Sequence, residues 1–143
     1  MRRFRNEKSG FSLIEILLVL AIIGIISGIA IPAYLGQRRR ARVIGDAMSN
    51  AKVMAMQLES RKAENGIYGA EATYVWSGGS AVGSAGSLLP AFSPDKGNTK
   101  MNYSLTIAGS GLTYNLTIFD PSISATTVAY STDQTGAELA RLK

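Results

Sequence analysis

The residue of this chain best placed to do chemistry is a carboxylate in the wrong surroundings. Glu15 is the single charged side chain between Gly10 and Gln37, and from Ile16 to Leu35 the chain is almost unbroken apolar sequence. A charge held deep in hydrocarbon costs at least about 2.5–3.5 kcal/mol, so Glu15 either snorkels to an interface or has a partner. Other candidate chemistry is sparse. The chain has no histidine and no cysteine, which removes the usual hydrolase triad, a disulfide framework and any zinc site built on those residues. Glu71, Asp95, Asp120, Asp133 and Glu138 are scattered, without the dense spacing of a calcium loop, and read as solvated turn residues. Asn102-Tyr103-Ser104 and Asn115-Leu116-Thr117 match the glycosylation sequon, a weak pattern inside expected strands. Tyr34, Tyr68, Tyr74, Trp76 and Tyr103 are too dispersed for an aromatic nucleic-acid platform.

The element that must position Glu15 is a membrane-length helix. The residues from Ile16 to Leu35 would span about 30 Å as a helix, the thickness of a bilayer's hydrocarbon core. Arg2, Arg3, Arg5 and Lys8 precede it, as a cytoplasmic flank should. Arg38, Arg39, Arg40 and Arg42 follow it in equal number, so charge counting alone does not orient the span. A secretory signal peptide fits poorly, because the apolar run is too long and no small-x-small site closes it. An uncleaved signal anchor fits better.

The order of basic leader, Gly10-Phe11-Ser12-Leu13-Ile14-Glu15 and apolar helix resembles the processing site of the type IV pilin family, which includes the pseudopilins of type II secretion. The resemblance is strong over residues 8 to about 35 and only architectural beyond. It implies cleavage by a prepilin peptidase between Gly10 and Phe11, N-methylation of Phe11, and an assembly role for Glu15. It also places Pro32 where the family commonly kinks its helix and orients the C-terminal domain outside. Cleavage would leave a positive amine at Phe11, one turn from Glu15 on the same helix face and beside a helix dipole that favours a negative neighbour. In the family, the favoured partner of this glutamate is the amine of an adjacent subunit, which sets axial register. A pair shielded in apolar surroundings fixes geometry even where its net energy is small.

Beyond the span, Ile44, Ala47, Ala51, Met54 and Leu58 recur at helical spacing and give one narrow apolar stripe, expected to pack on the chain's own globular domain. Pro32 removes one backbone bond, and with Gly24, Ser27, Gly28 and Gly36 it makes this stretch either pliable or suited to close helix packing. Gly66 is a natural left-handed cap at the helix end. Residues 77–98, rich in Ser, Gly and Ala, read as a surface loop. Tyr103, Leu105 and Ile107 alternate with polar residues, as do Leu112, Tyr114, Leu116 and Ile118. The link Ala108-Gly109-Ser110-Gly111 joins them as a hairpin, and a third run covers Thr126 to Tyr130.

The fold class is therefore α+β: a long N-terminal helix, half transmembrane and half amphipathic, packed on a small antiparallel sheet. The organisation is a cleaved leader (1–10), a transmembrane or filament-core helix (11–35), its amphipathic half (36–65) and a β domain (66–143). The net charge of +5 falls to +2 in the mature chain, because four basic residues against Glu7 place +3 in the leader. Nucleic-acid binding is thus not implied. The expected function is a structural subunit, not an enzyme, without cofactor or metal. It forms a helical homo-oligomer after handling by prepilin peptidase/methyltransferase, an inner-membrane platform and a cytoplasmic assembly ATPase. Its expected course runs from the inner membrane to a surface pilus. The alternatives are a periplasmic pseudopilin, toward which the lack of a calcium loop does not tilt, and a signal-anchored periplasmic binding or enzyme domain.

Overall fold

The computed structural model describes residues 10–93, 101–124 and 126–143. Residues 1–9 of the leader, and Asp95, lie outside the described residues. Contacts divide the chain into two units, Met1–Arg38 and Arg39–Lys143. Helix α1 is Leu13–Asn65, and Pro32 lies inside it. Leu, Ile and Ala, which lose little on entering a helix or pack readily along one, fill its first half. It ends at Gly66, whose φ of +79° and N–H donated to the Lys62 carbonyl (2.8 Å) make the left-handed cap expected from sequence.

In the second unit the buried stripe of α1 is Val43, Ala47, Ala51, Met54 and Leu58. It begins at Val43 rather than Ile44, which is half-buried. Both lie within one turn of Ala47, on either side of the same stripe. The sheet facing it has six antiparallel strands, β1 (Ala72–Ser77), β2 (Ser80–Val82), β3 (Asn102–Ala108), β4 (Thr113–Phe119), β5 (Val128–Asp133) and β6 (Glu138–Arg141), in the order β2-β1-β3-β4-β5-β6. Tyr74 and Trp76 of β1, Tyr103, Leu105 and Ile107 of β3, Tyr114, Leu116 and Ile118 of β4, and Ala129 and Tyr130 of β5 are all buried in one core with the helix stripe. In β1, β3 and β4, period-two alternation puts these residues on one face of the sheet, while in β5 the adjacent Ala129 and Tyr130 are both buried where the register with β4 shifts. Fully burying one such side chain contributes about 1.5–3 kcal/mol.

The expected β3–β4 hairpin is present, with Asn102 opposite Phe119 and Ala108 opposite Thr113. Leu112 falls in its turn and is half exposed instead of continuing the strand. Gly109, Ser110 and Gly111 all have positive φ, and a Cβ on Gly111 would stand 2.4 Å from the Gly69 carbonyl oxygen. The turn is that tight because the chain leaving α1 docks against it: Tyr68 donates its N–H to the Gly111 carbonyl (2.8 Å), and Ser110 donates its N–H to Glu71 Oε1.

Residues 77–98 are not simply a surface loop. Gly78 and Gly79, both at positive φ, join β1 to β2 as a two-residue hairpin turn. A short helix α2 (Ala85–Leu88) follows, and Ala85, Leu88, Leu89 and Phe92 are buried. Phe92 packs edge-to-face on Trp76 (5.7 Å) and Tyr103 (5.1 Å). These few apolar residues, set among Ser and Gly, close the core next to β1. That is a non-local contact that composition does not reveal.

Candidate processing and assembly segment

Gly10, Phe11 and Ser12 precede α1 and are non-helical, and Phe11 is 84% exposed. The Ser12 carbonyl accepts from the N–H groups of Glu15 (3.1 Å) and Ile16 (3.4 Å), which opens the helix. In return the Glu15 carboxylate reaches back, and Ser12 donates its backbone N–H to Glu15 Oε2 at 3.0 Å. With the chain uncut there is no amine at Phe11, and the carboxylate takes a backbone donor instead. Ser12 was not singled out from sequence. The signal that finds it is Ser-x-x-Glu ahead of an apolar run, the spacing of a capping box.

From Ile16 to Leu35 every large apolar side chain is 47–75% exposed, and none of the most apolar window is buried. The helix is long and apolar enough to cross a membrane, with a mean hydropathy of 2.8 in that window. An apolar surface of this extent marks a membrane or a protein partner. Gly24 and Gly28 lie four residues apart on one face, and a Cβ on either would meet nothing within 4 Å. Each lowers helix stability by about 0.8–1 kcal/mol relative to alanine. The chain's own packing does not account for them. Pro32 lacks the N–H that would reach the Gly28 carbonyl, leaving that acceptor without its usual partner.

The second unit has satisfied its surfaces differently. Arg39 donates to the Ser122 carbonyl (2.9 Å) and Arg40 to the Lys143 carbonyl (3.0 Å), so two of the four arginines read as a charged flank are structural ties. Tyr68 donates its hydroxyl to Glu59 (2.7 Å) and accepts from Lys62 (3.3 Å), whose ammonium lies 4.5 Å from the ring centroid. Asn50 donates to the Tyr103 hydroxyl at 2.8 Å. Burial, reinforced by the Glu59 hydrogen bond and charge, pushes the Tyr68 hydroxyl up to about 12. Burial also raises Tyr103 to about 12 against the opposing Asn50 bond, and Tyr114 to about 12 with Glu59 adding to it.

Of the carboxylates read as solvated turn residues, Asp120 and Asp133 hold turns, but Asp120 is buried rather than solvated. Asp120 Oδ1 accepts the Ser122 N–H (2.7 Å). Asp133 accepts both the N–H and the hydroxyl of Thr135 (2.8 and 2.6 Å), and those bonds lower its carboxyl below the ordinary range. Among the described residues, no group of three or more acidic, histidine or cysteine side chains is placed to hold a metal ion. Asn102 and Asn115 of the two sequons lie within the paired strands β3 and β4, and Ser104 stands directly opposite Thr117.

Comparison with known proteins places the similarity where this geometry lies. Residues 5–31 match the prokaryotic N-terminal methylation motif. The chain is 46% identical over 44 residues to fimbrial protein Q of Moraxella bovis, covering 29% of this chain and 28% of that one. It is 53% identical over 38 residues to a fimbrial protein of Moraxella nonliquefaciens, covering 27% and 25%. It is 34% identical over 64 residues to type II secretion system core protein G of Pseudomonas aeruginosa, covering 45% and 44%. The matches thus span between a quarter and under half of these relatives' length. No solved structure matches the chain. The similarity thus lies at the N-terminal end, where the methylation motif and the first part of α1 resemble those of fimbrial proteins and of a type II secretion core protein.

Proposed function

We propose that this chain is the structural subunit of a type IV pilus. It is cut between Gly10 and Phe11, methylated at the Phe11 amine and polymerised through the first half of α1. The observation that carries this reading is the contrast between an apolar helix surface left exposed among the described residues and an N-terminal methylation motif over the same stretch. In the membrane, lipid covers that surface. In the filament, copies of the same helix cover it, and Gly24 and Gly28 allow backbones to approach closely. Lipid is already as apolar as leucine, so packing and the Glu15–amine pair must supply specificity. Extraction from the bilayer needs energy, which we assign to a cytoplasmic ATPase acting through an inner-membrane platform. No catalytic role is assigned. The precursor belongs in the inner membrane and the product at the cell surface.

The pseudopilin of a type II secretion system is the second reading. It is favoured by the longer stretch of similarity to the core protein G. The two differ in where the processed chain collects. Intact-mass measurement of the sheared surface fraction and of membranes separates them. A mass starting at methylated Phe11 in the sheared fraction is expected for the pilus. The same mass confined to membranes and periplasm assigns the pseudopilin. An uncut leader in every fraction discards both.

A further inference from the structure

Glu15 is already engaged before any amine exists for it. Its carboxylate holds the Ser12 N–H at 3.0 Å, while the Ser12 carbonyl accepts the first helical N–H groups. An N-terminal backbone donor without an intrahelical partner is one of the groups that a helix end must satisfy. The side chain three residues on satisfies it here, as the Glu or Gln of a capping box does. The helix consequently starts at Leu13 and leaves Gly10, Phe11 and Ser12 outside it. A peptidase needs backbone N–H and C=O groups that are not already bonded within a helix, because extended substrate is held by main-chain hydrogen bonds.

We propose that Glu15 is a positioning residue for processing as well as for assembly: its carboxylate caps α1 at Ser12, fixing the helix start two residues past the Gly10–Phe11 bond and presenting that bond as extended chain. This rests on the reading that the chain is cut after Gly10. The role is separable from charge. A glutamine at this position keeps an oxygen acceptor for the Ser12 N–H and loses the negative charge that an amine partner would require.

The test compares wild type, Glu15→Gln and Glu15→Ala as full-length chains in detergent. Two quantities are measured: the initial rate of cleavage by a purified prepilin peptidase, and the exchange rate of the Ser12 amide in the uncut chain. The cap predicts that wild type and Glu15→Gln behave alike. Glu15→Ala should exchange its Ser12 amide about fivefold faster, as loss of a typical cap implies, and be cut more slowly by a similar factor although cleavage still runs to completion. Assembly should instead fail in both variants. Equal initial rates in all three chains overturn the proposal, as does Glu15→Gln falling to the level of Glu15→Ala in cleavage, which would show that charge is what matters. A wild-type chain not cut at Gly10–Phe11 overturns the processing reading and this presentation role together, and unchanged Ser12 exchange in Glu15→Ala overturns the cap by itself.

Discussion

The two units of this chain treat their apolar residues in opposite ways. Among the described residues of the first unit, 10–38, the large apolar side chains are exposed, and glycines stand where the chain leaves open space. In Arg39–Lys143, Trp76, Tyr68, Tyr103, Met54 and Leu58 are fully buried, and Gly111 stands where no larger residue fits. The comparison separates two kinds of sequence constraint. The second unit is constrained by its own packing, so changes there should be read in stability. The described residues of the first bury no large apolar side chain, so changes there should be read in processing and binding rather than in the second unit's stability.

The largest expected effect lies in the first unit. Glu15→Ala should abolish filament yield while the melting temperature of the second unit stays within a degree or two. Wild-type yield of sheared filaments would break the comparison at its strongest point. Next is the core: Trp76→Ala is expected to cost about 3–5 kcal/mol and Leu58→Ala about 2–5, because both leave cavities beneath the sheet. Urea titration measures this, and a cost under 1 kcal/mol for either would show that the core is not held as described.

Gly111→Ala should cost about 1–3 kcal/mol, since φ is +84° and the added Cβ meets the Gly69 carbonyl. Gly24→Ala, by contrast, should leave the stability of the second unit unchanged and reduce only assembly. If the two glycines behave alike in denaturation, the distinction between internal and external constraint fails.

Alkaline pH gives a smaller and graded effect. An unfolded tyrosine titrates near 10, and Tyr68, Tyr103 and Tyr114 are held up to about 12 in the fold. Between those values the unfolded chain has released protons that the folded chain retains, so stability falls as pH rises. The contribution is complete below pH 10 and lost as pH passes through 12. Denaturation midpoints at pH 9 and pH 11 should show the fall, and Tyr68→Phe should lessen it. Smallest of all is Leu17→Ala, expected within about 0.5 kcal/mol of wild type in the second unit's stability.

The same contrast explains what the sequence made legible. Gly10, Phe11 and Glu15 stand out as candidates because their relation is local in the chain, and the apolar span because it is continuous. The helix stripe, Gly66 and the β3–β4 hairpin followed from periodicity and turn chemistry. Strands β2 and β6 did not: all their residues are exposed, so they carry no alternation to detect. In β1 the inward residues Tyr74 and Trp76 did alternate, but the pair was read as scattered aromatics. Helix α2 has four residues, too few for a helical period. The buried side chains of 85–92 depend on Trp76 and Tyr103, which no local pattern joins to them. Arg39 and Arg40 looked like a charged flank because their acceptors, Ser122 and Lys143, are more than eighty residues away.

The central claim is that copies of this chain cover the apolar surface of the first unit. The chain has no cysteine, so a single Ile22→Cys substitution reports on that surface alone. Maleimide labelling should be measured on sheared, lipid-free filaments, before and after dissociation in detergent. The account predicts protection in the intact particles and full labelling once they come apart. Full labelling of Cys at this position in intact particles would contradict it.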